Sequence, residues 1–170
     1  MEVVTPQITV RAAVPDDVEL LHSLVCELAE YEKLRDAVRA TVDTLRACLF
    51  GPRPYCEALV GELNGEAAGF ALFFHNYSTF AGKPGLYLED LYVRQASRGH
   101  GLGKSLFKRV GEIAVERGCS RIEWSALDWN EPAIRFYTAQ GAREMSQWRI
   151  YRLDGPALNF LAGHTDAPPQ

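Results

Sequence analysis

Residues 86–118 read LYLEDLYVRQASRGHGLGKSLFKRVGEIAVERG, and the three parts of this stretch decide the architecture. Leu86 to Val93 is an apolar run rich in β-forming residues and reads as a strand. Arg98-Gly99-His100-Gly101-Leu102-Gly103-Lys104-Ser105 then places three glycines within five residues. From Leu102 onward, Leu106, Val110, Ile113 and Ala114 recur on one helical face, and Gly118 closes the helix. Such a turn lets backbone N–H groups converge without Cβ obstruction, next to the positive end of a helix dipole. It suits a phosphate or pyrophosphate, and Arg98 and Lys104 add positive charge.

Working outward, Ile122, Trp124 and Ala126 point one way along a further strand, which makes a βαβ unit. Upstream, Glu57–Leu63 and Glu66–His75 flank Asn64-Gly65, the preferred dipeptide of a type I′ hairpin turn. Ile8 to Arg11 alternates as a first strand. Asp16 is positioned to cap a helix carrying Val18, Leu21, Val25, Leu28 and Tyr31, and Thr41 to cap a shorter one ending near Gly51. Downstream, Pro132 suits the first turn of a helix that Gly141 terminates, and Gln147 to Leu153 reads as a last strand. The tail 155–170, with Pro156, Pro168 and Pro169, is expected to fray apart from an anchor at Phe160 and Leu161. The order β-α-α-β-β-β-α-β-α-β predicts an α/β (α+β) fold: a mixed sheet of about six to seven strands with helices on both faces. One domain is expected over residues 1–170, with its core at about 8–153.

Composition narrows the function. With 47% hydrophobic residues the chain can bury a sizeable core. A net charge of −4 argues against nucleic acid as a partner, since such proteins usually carry a basic excess. No apolar run approaches the roughly 18 to 20 residues that span a bilayer, and the N-terminus lacks the basic start and apolar stretch of a secretory signal. Cys26, Cys48, Cys56 and Cys119 form no CxxC pair, which fits reduced cytoplasmic thiols better than zinc or a disulfide framework. Cys26 and Cys119 read as small buried hydrophobes.

Three phosphate-binding patterns compete for the glycine turn. A Walker loop needs glycine where Arg98 stands. A dinucleotide fingerprint fails at Lys104 or at Leu106, depending on where it starts. Arg/Gln-x-x-Gly-x-Gly/Ala after a strand is met by Arg98, Gly101 and Gly103. That pattern, with an Asn130-x-x-Ala133-x-x-Phe136-Tyr137 helix followed by Gly141-Ala142, resembles the GNAT superfamily of N-acetyltransferases. Leu86 to Val93, the glycine turn and Trp129 to Tyr137 resemble its diamine/thialysine N-acetyltransferase-like subfamily. A weaker similarity reaches Leu28-Ala29-Glu30-Tyr31-Glu32.

The resemblance implies acetyl-CoA as co-substrate, no metal, and a homodimer. It implies that Leu91, Tyr92 and Val93 pair with the pantetheine arm. The turn of Arg98, Gly99, His100, Gly101, Leu102, Gly103 and Lys104 would hold the pyrophosphate, with Asn130 and Ala133 along the coenzyme. Tyr137 would approach the sulfur, and Glu89 would order a water near the incoming amine. Tyr31, Glu32, Glu89 and Asp90 would receive the substrate. Tyr137 also reads as a core aromatic and Asn130 as a helix cap, whereas a carboxylate pair in an apolar strand is costly without purpose.

The implied reaction is direct attack of a primary amine on the thioester in one ternary complex. An alkyl ammonium titrates near 10.4, so its deprotonation at pH 7 costs roughly 4.6 kcal/mol and a base such as Glu89 is useful. Glu27, Glu30, Glu32 and Asp36 could attract the amine or could form a solvated helix face. Polyamine-specific members carry an acidic residue and Pro-Trp where this chain reads Tyr77-Ser78-Thr79-Phe80. A diamine or a lysine- or thialysine-like amino acid therefore fits better than spermidine. Acetylation of a peptide or antibiotic amine, and a non-catalytic coenzyme-A sensor, are the competing readings.

Overall fold

The Asn64-Gly65 turn forms as its dipeptide dictates: both residues have positive φ, 53° and 83°, and Leu63 pairs with Glu66 across it. In the computed structural model, which describes residues 6–164, this hairpin is the centre of one sheet. The chain divides into two compact units, the second beginning at Ala126.

The first unit contains β1 (Ile8–Ala12), α1 (Val18–Tyr31), α2 (Val42–Phe50), β2 (Glu57–Leu63), β3 (Glu66–Ser78), β4 (Lys83–Val93), α3 (Leu102–Glu116) and β5 (Ile122–Glu123). The strands lie in the order β1-β2-β3-β4-β5, antiparallel up to β4 and parallel between β4 and β5. Helices cover both faces, as expected. Leu102, Leu106, Val110, Ile113 and Ala114 of α3 pack on Leu59, Ala71, Phe73, Leu86 and Leu88. On the opposite face Leu21 and Leu24 of α1 and Leu45 and Leu49 of α2 pack on Ala58, Val60, Phe70 and Leu72. Phe70 and Phe73 are fully buried on opposite sides, each worth roughly 1.5–3 kcal/mol of burial.

Two glycines bring α3 close to the sheet. A Cβ at Gly61 would stand 2.9 Å from the Leu102 side chain, and one at Gly69 would stand 3.3 Å from Leu106. The first is closer than a Cβ tolerates and the second is tight, so the start of α3 packs closely against β2 and β3.

Thr41 caps α2 as expected, exchanging hydrogen bonds with Thr44. Asp16 does not cap α1. A short 3₁₀ turn at Pro15–Asp17 precedes that helix, and Asp17 binds the Arg11 guanidinium at 2.7 and 2.9 Å and the Val14 N–H at 2.8 Å. The Arg11 contact holds the Asp17 carboxyl below the usual carboxylate range. Cys26 and Cys119 are half-buried, whereas Cys56 is buried. All four cysteines are unbridged, although the Sγ atoms of Cys48 and Cys56 approach to 3.0 Å.

The second unit contains α4 (Glu131–Ala139) and α5 (Gly155–Leu161). Here two expectations are corrected. Gln147 to Leu153 forms no strand, so the sheet has five strands, not six or seven, and β5 stops at Glu123 short of Trp124 and Ala126. Alternation marks a segment able to pair but supplies no partner, and the second unit holds no strand among its described residues. The tail does not fray throughout. Pro156 sits in the first turn of α5, where its missing N–H is no loss, and Ala157 and Leu158 donate to the Asp154 carbonyl. Pro168 and Pro169 lie outside the described residues. Among the described residues no helix is long and apolar enough to cross a membrane.

Candidate active site

The site is organised by an irregularity in β4. Leu88 pairs with Phe73 and Asp90 with Leu72, so Glu89 is an extra residue opposite no partner: a β-bulge. Leu86 and Leu88 face the α3 core, and after the bulge Leu91 and Val93 face it again. An ordinary strand would put Glu89 and Asp90 on opposite faces. The inserted residue instead turns both toward the α1/α2 side, where Cys56 experiences both charges, and burial pushes its thiol up to about 12.

Three carboxylates meet there. Asp90 is half-buried, and desolvation, with Glu89 and Glu32 as neighbouring charges, pushes its carboxyl up to about 7. Burial also lifts the Glu32 carboxyl above its ordinary range. Glu32 follows the last residue of α1, so the helix end delivers it beside the bulge. Like charges held together out of water favour either a proton or a cation among them. Glu27 is not among them. It accepts three contacts of 2.8–3.2 Å from Arg94 and ties α1 to the end of β4.

One edge of β4 is open next to this cluster. β5 pairs only with Leu86 and Tyr87, so among the described residues Leu88 to Val93 have no strand on that side. The Arg94 N–H donates to the Ala68 carbonyl of β3, so by antiparallel alternation Tyr92 turns its main chain toward β3. Leu91 and Val93 turn theirs to the open edge. Both N–H groups and the Leu91 C=O can receive an extended chain as an added strand would.

The open edge leads into the glycine turn. Gly99 and Gly101 have φ of 81° and 91°, a region closed to most side chains, and Gly101 is the N-cap of α3. No side chain caps α3, and no acidic residue lies in its first turn. The Leu102 side chain is buried beneath, leaving its amide with those of Gly103 and Lys104 at the positive helix end. Lys104 and His100 are exposed beside it. An uncapped helix start with an adjacent lysine fits a diphosphate. Arg98 points elsewhere: its Nε–H donates to the Val93 carbonyl at 2.9 Å, and its guanidinium lies over the Tyr31 ring at 4.6 Å.

The second unit carries the other expected residues on α4. Asn130 is buried and caps the helix, its side chain accepting from the Ala133 N–H at 3.4 Å. Tyr137, two turns beyond Asn130, stands edge-to-face with Phe136 at 5.2 Å, and its carbonyl accepts from the Ala142 N–H after Gly141 reverses the chain.

A model of the Acetyltransferase (GNAT) family matches residues 20–142, a span that includes the bulge, the glycine turn and α4. The chain belongs to the GNAT acetyltransferase family. As a GNAT protein it is an N-acetyltransferase, and the family uses acetyl-CoA as its co-substrate. The thialysine N-epsilon-acetyltransferase of Bos taurus is 38% identical over 167 residues, covering 92% of this chain and 98% of the relative. The L-ornithine N5-acetyltransferase NATA1 of Arabidopsis thaliana is 32% identical, covering 89% and 86%. Among solved structures, the integron cassette protein VCH_CASS6 from the mobile metagenome of V. cholerae superposes with a TM-score of 0.76 at 26% identity, covering 91% of this chain and 97% of that one.

For this GNAT chain, sequence reasoning found the carboxylates and the turn but missed the bulge. The signal was present, because the apolar positions of β4 slip from even numbers (86, 88) to odd ones (91, 93) across Glu89-Asp90. It also missed the Arg94–Glu27 tie, for which no local pattern gives a cue.

Proposed function

We propose that this GNAT enzyme acetylates the primary amine of a small cationic substrate, a diamine or a lysine- or thialysine-like amino acid, in a ternary complex with acetyl-CoA. The observation that carries this reading is the bulge, which gathers Glu89 and Asp90 with Glu32 beside the open edge of β4. Three carboxylates beside an open strand edge suit an ammonium and repel anionic acceptors. The named relatives acetylate thialysine and ornithine, both short amino acids with a distal amine.

When bound, acetyl-CoA supplies the activated acyl thioester. The amides from Gly99 to Lys104 hold its diphosphate, and Leu91 and Val93 receive the pantetheine arm along the open edge. The Tyr92 backbone, turned inward, ties that edge to β3. The family resemblance also assigns Asn130 and Ala133 to the coenzyme. Asp90, Glu32 and Tyr31 orient the ammonium, and Glu89 at the exposed bulge orders a water that removes its proton. Tyr137 hydrogen-bonds the sulfur as negative charge develops on it; full proton transfer from a phenol to a thiolate is uphill by about 2 kcal/mol.

The chain acts as one acetyltransferase domain over residues 1–170 and as a homodimer, as the resemblance implies. Its four unbridged thiols favour a reducing cytoplasm. The test is release of free thiol from acetyl-CoA across lysine, thialysine, ornithine, putrescine and spermidine. Turnover with the amino acids or the diamine supports the reading. Coenzyme binding without turnover on any of them overturns it.

A further inference from the structure

We propose that Arg98 is a positioning residue that clasps the amine-side helix to the coenzyme turn, rather than a ligand of the coenzyme diphosphate. The inference rests on the reading that residues 99–104 take the diphosphate. The sequence pattern gives the arginine to the phosphate, but its geometry is already committed. Its Nε–H donates to Val93 at 2.9 Å, and its guanidinium carbon lies 4.6 Å from the Tyr31 ring centroid and 5.8 Å from that of Tyr92.

The direction of the side chain matters. Tyr92 belongs to the core beneath α1 and α2, and Tyr31 packs against that same core. The amides after Arg98 instead lead into α3, which covers the opposite face. Arg98 therefore begins the coenzyme turn and reaches back to the amine side. Tyr31 immediately precedes Glu32, and Tyr92 follows Asp90 by two residues. Through these two rings the clasp fixes both carboxylate-bearing segments relative to the turn. Only arginine can do this here: its planar group stacks while the in-plane Nε–H donates, whereas lysine offers a point charge.

Three measurements on the full chain test the proposal. Calorimetry with coenzyme A is expected to give Arg98→Lys and Arg98→Met affinities within about 3-fold of wild type, while the thialysine KM rises about 10-fold or more in both. If Arg98→Met loses more than about 30-fold in coenzyme affinity and Arg98→Lys restores it, the arginine is a charge on the diphosphate and the clasp is wrong. Failure of the wild type itself to bind coenzyme A would sink the reading of the turn, a different result from selective loss in the variants. Hydrogen exchange on the wild type needs no variant to fold. Coenzyme A is expected to slow exchange at residues 28–34 as well as at 99–104 by about 5-fold, and protection confined to 99–104 overturns the clasp.

Discussion

Arg94 holds Glu27 through both its Nε and one terminal nitrogen, joining the residue after β4 to the middle of α1. A carboxylate bound this way is structural, although its position on the helix suits it equally to attract an amine. Glu27→Gln is therefore expected to cost about 1–2 kcal/mol, lowering Tm by roughly 2–8 °C. The amine KM stays within about 2-fold in steady-state assays. A 10-fold rise in KM with unchanged Tm would return Glu27 to the substrate site.

Asp90 gives the enzyme a pH dependence of predictable sign. A carboxyl that titrates near 7 in the folded chain and near 3.8 when unfolded binds more protons in the native state between those values. Stability therefore falls as pH rises from about 4 to 7. Asp90→Asn is expected to be more stable than wild type at pH 8, by roughly 2–4 kcal/mol, with the two converging below pH 4 in denaturant titrations.

Under the proposed function the same titration is expected to shape activity. The amine meets a fully charged site only once Asp90 has lost its proton, so kcat/KM rises through an ascending limb near pH 7. Glu89→Gln removes one of the charges that raise Asp90, so its limb moves to lower pH while kcat falls about 100-fold. A limb unmoved in Glu89→Gln would separate the two carboxylates.

Gly101 caps α3 at a φ of 91°, where an alanine is strained although its Cβ would meet nothing closer than Ile8 at 3.6 Å. Gly101→Ala is expected to weaken coenzyme A binding about 10-fold or more in calorimetry, with the far-ultraviolet dichroism unchanged. The same change at Gly103, whose φ is not positive, costs far less.

Tyr137→Phe keeps the ring on α4 and removes only the hydroxyl. Turnover is expected to fall about 10-fold or more with coenzyme affinity within about 2-fold of wild type. Unchanged turnover would remove the hydroxyl from the reaction.

The legible parts of this chain were those fixed by short-range chemistry. Asn64-Gly65 demanded a hairpin, Thr41 a cap, and Gly99 and Gly101 a turn that other residues cannot make, and each formed. The periodicity of α3 named its buried face, whereas that of α1 found Val18 and Leu21 but chose the half-buried Val25, Leu28 and Tyr31 over the buried Leu24 and Ala29. Gln147 to Leu153 misled because pairing is not a local property. Asp17 displaced Asp16 because Arg11, distant from the helix pattern, binds it. In the site, Glu32, Glu89 and Asp90 were legible as residue types, but their convergence depends on one unpaired residue in β4, and the engagement of Arg98 depends on two rings from different elements.

That single unpaired residue sits outside the ladder on which the core depends. Deleting one amino acid at 89 or 90 would restore simple alternation, with Leu88, Leu91 and Val93 still under α3 and Tyr92 still facing the opposite helices. In this fold a one-codon deletion there would straighten β4 and remove one of the two adjacent carboxylates while leaving both hydrophobic layers in register, so that the chemistry of the site and the packing of the scaffold can change independently.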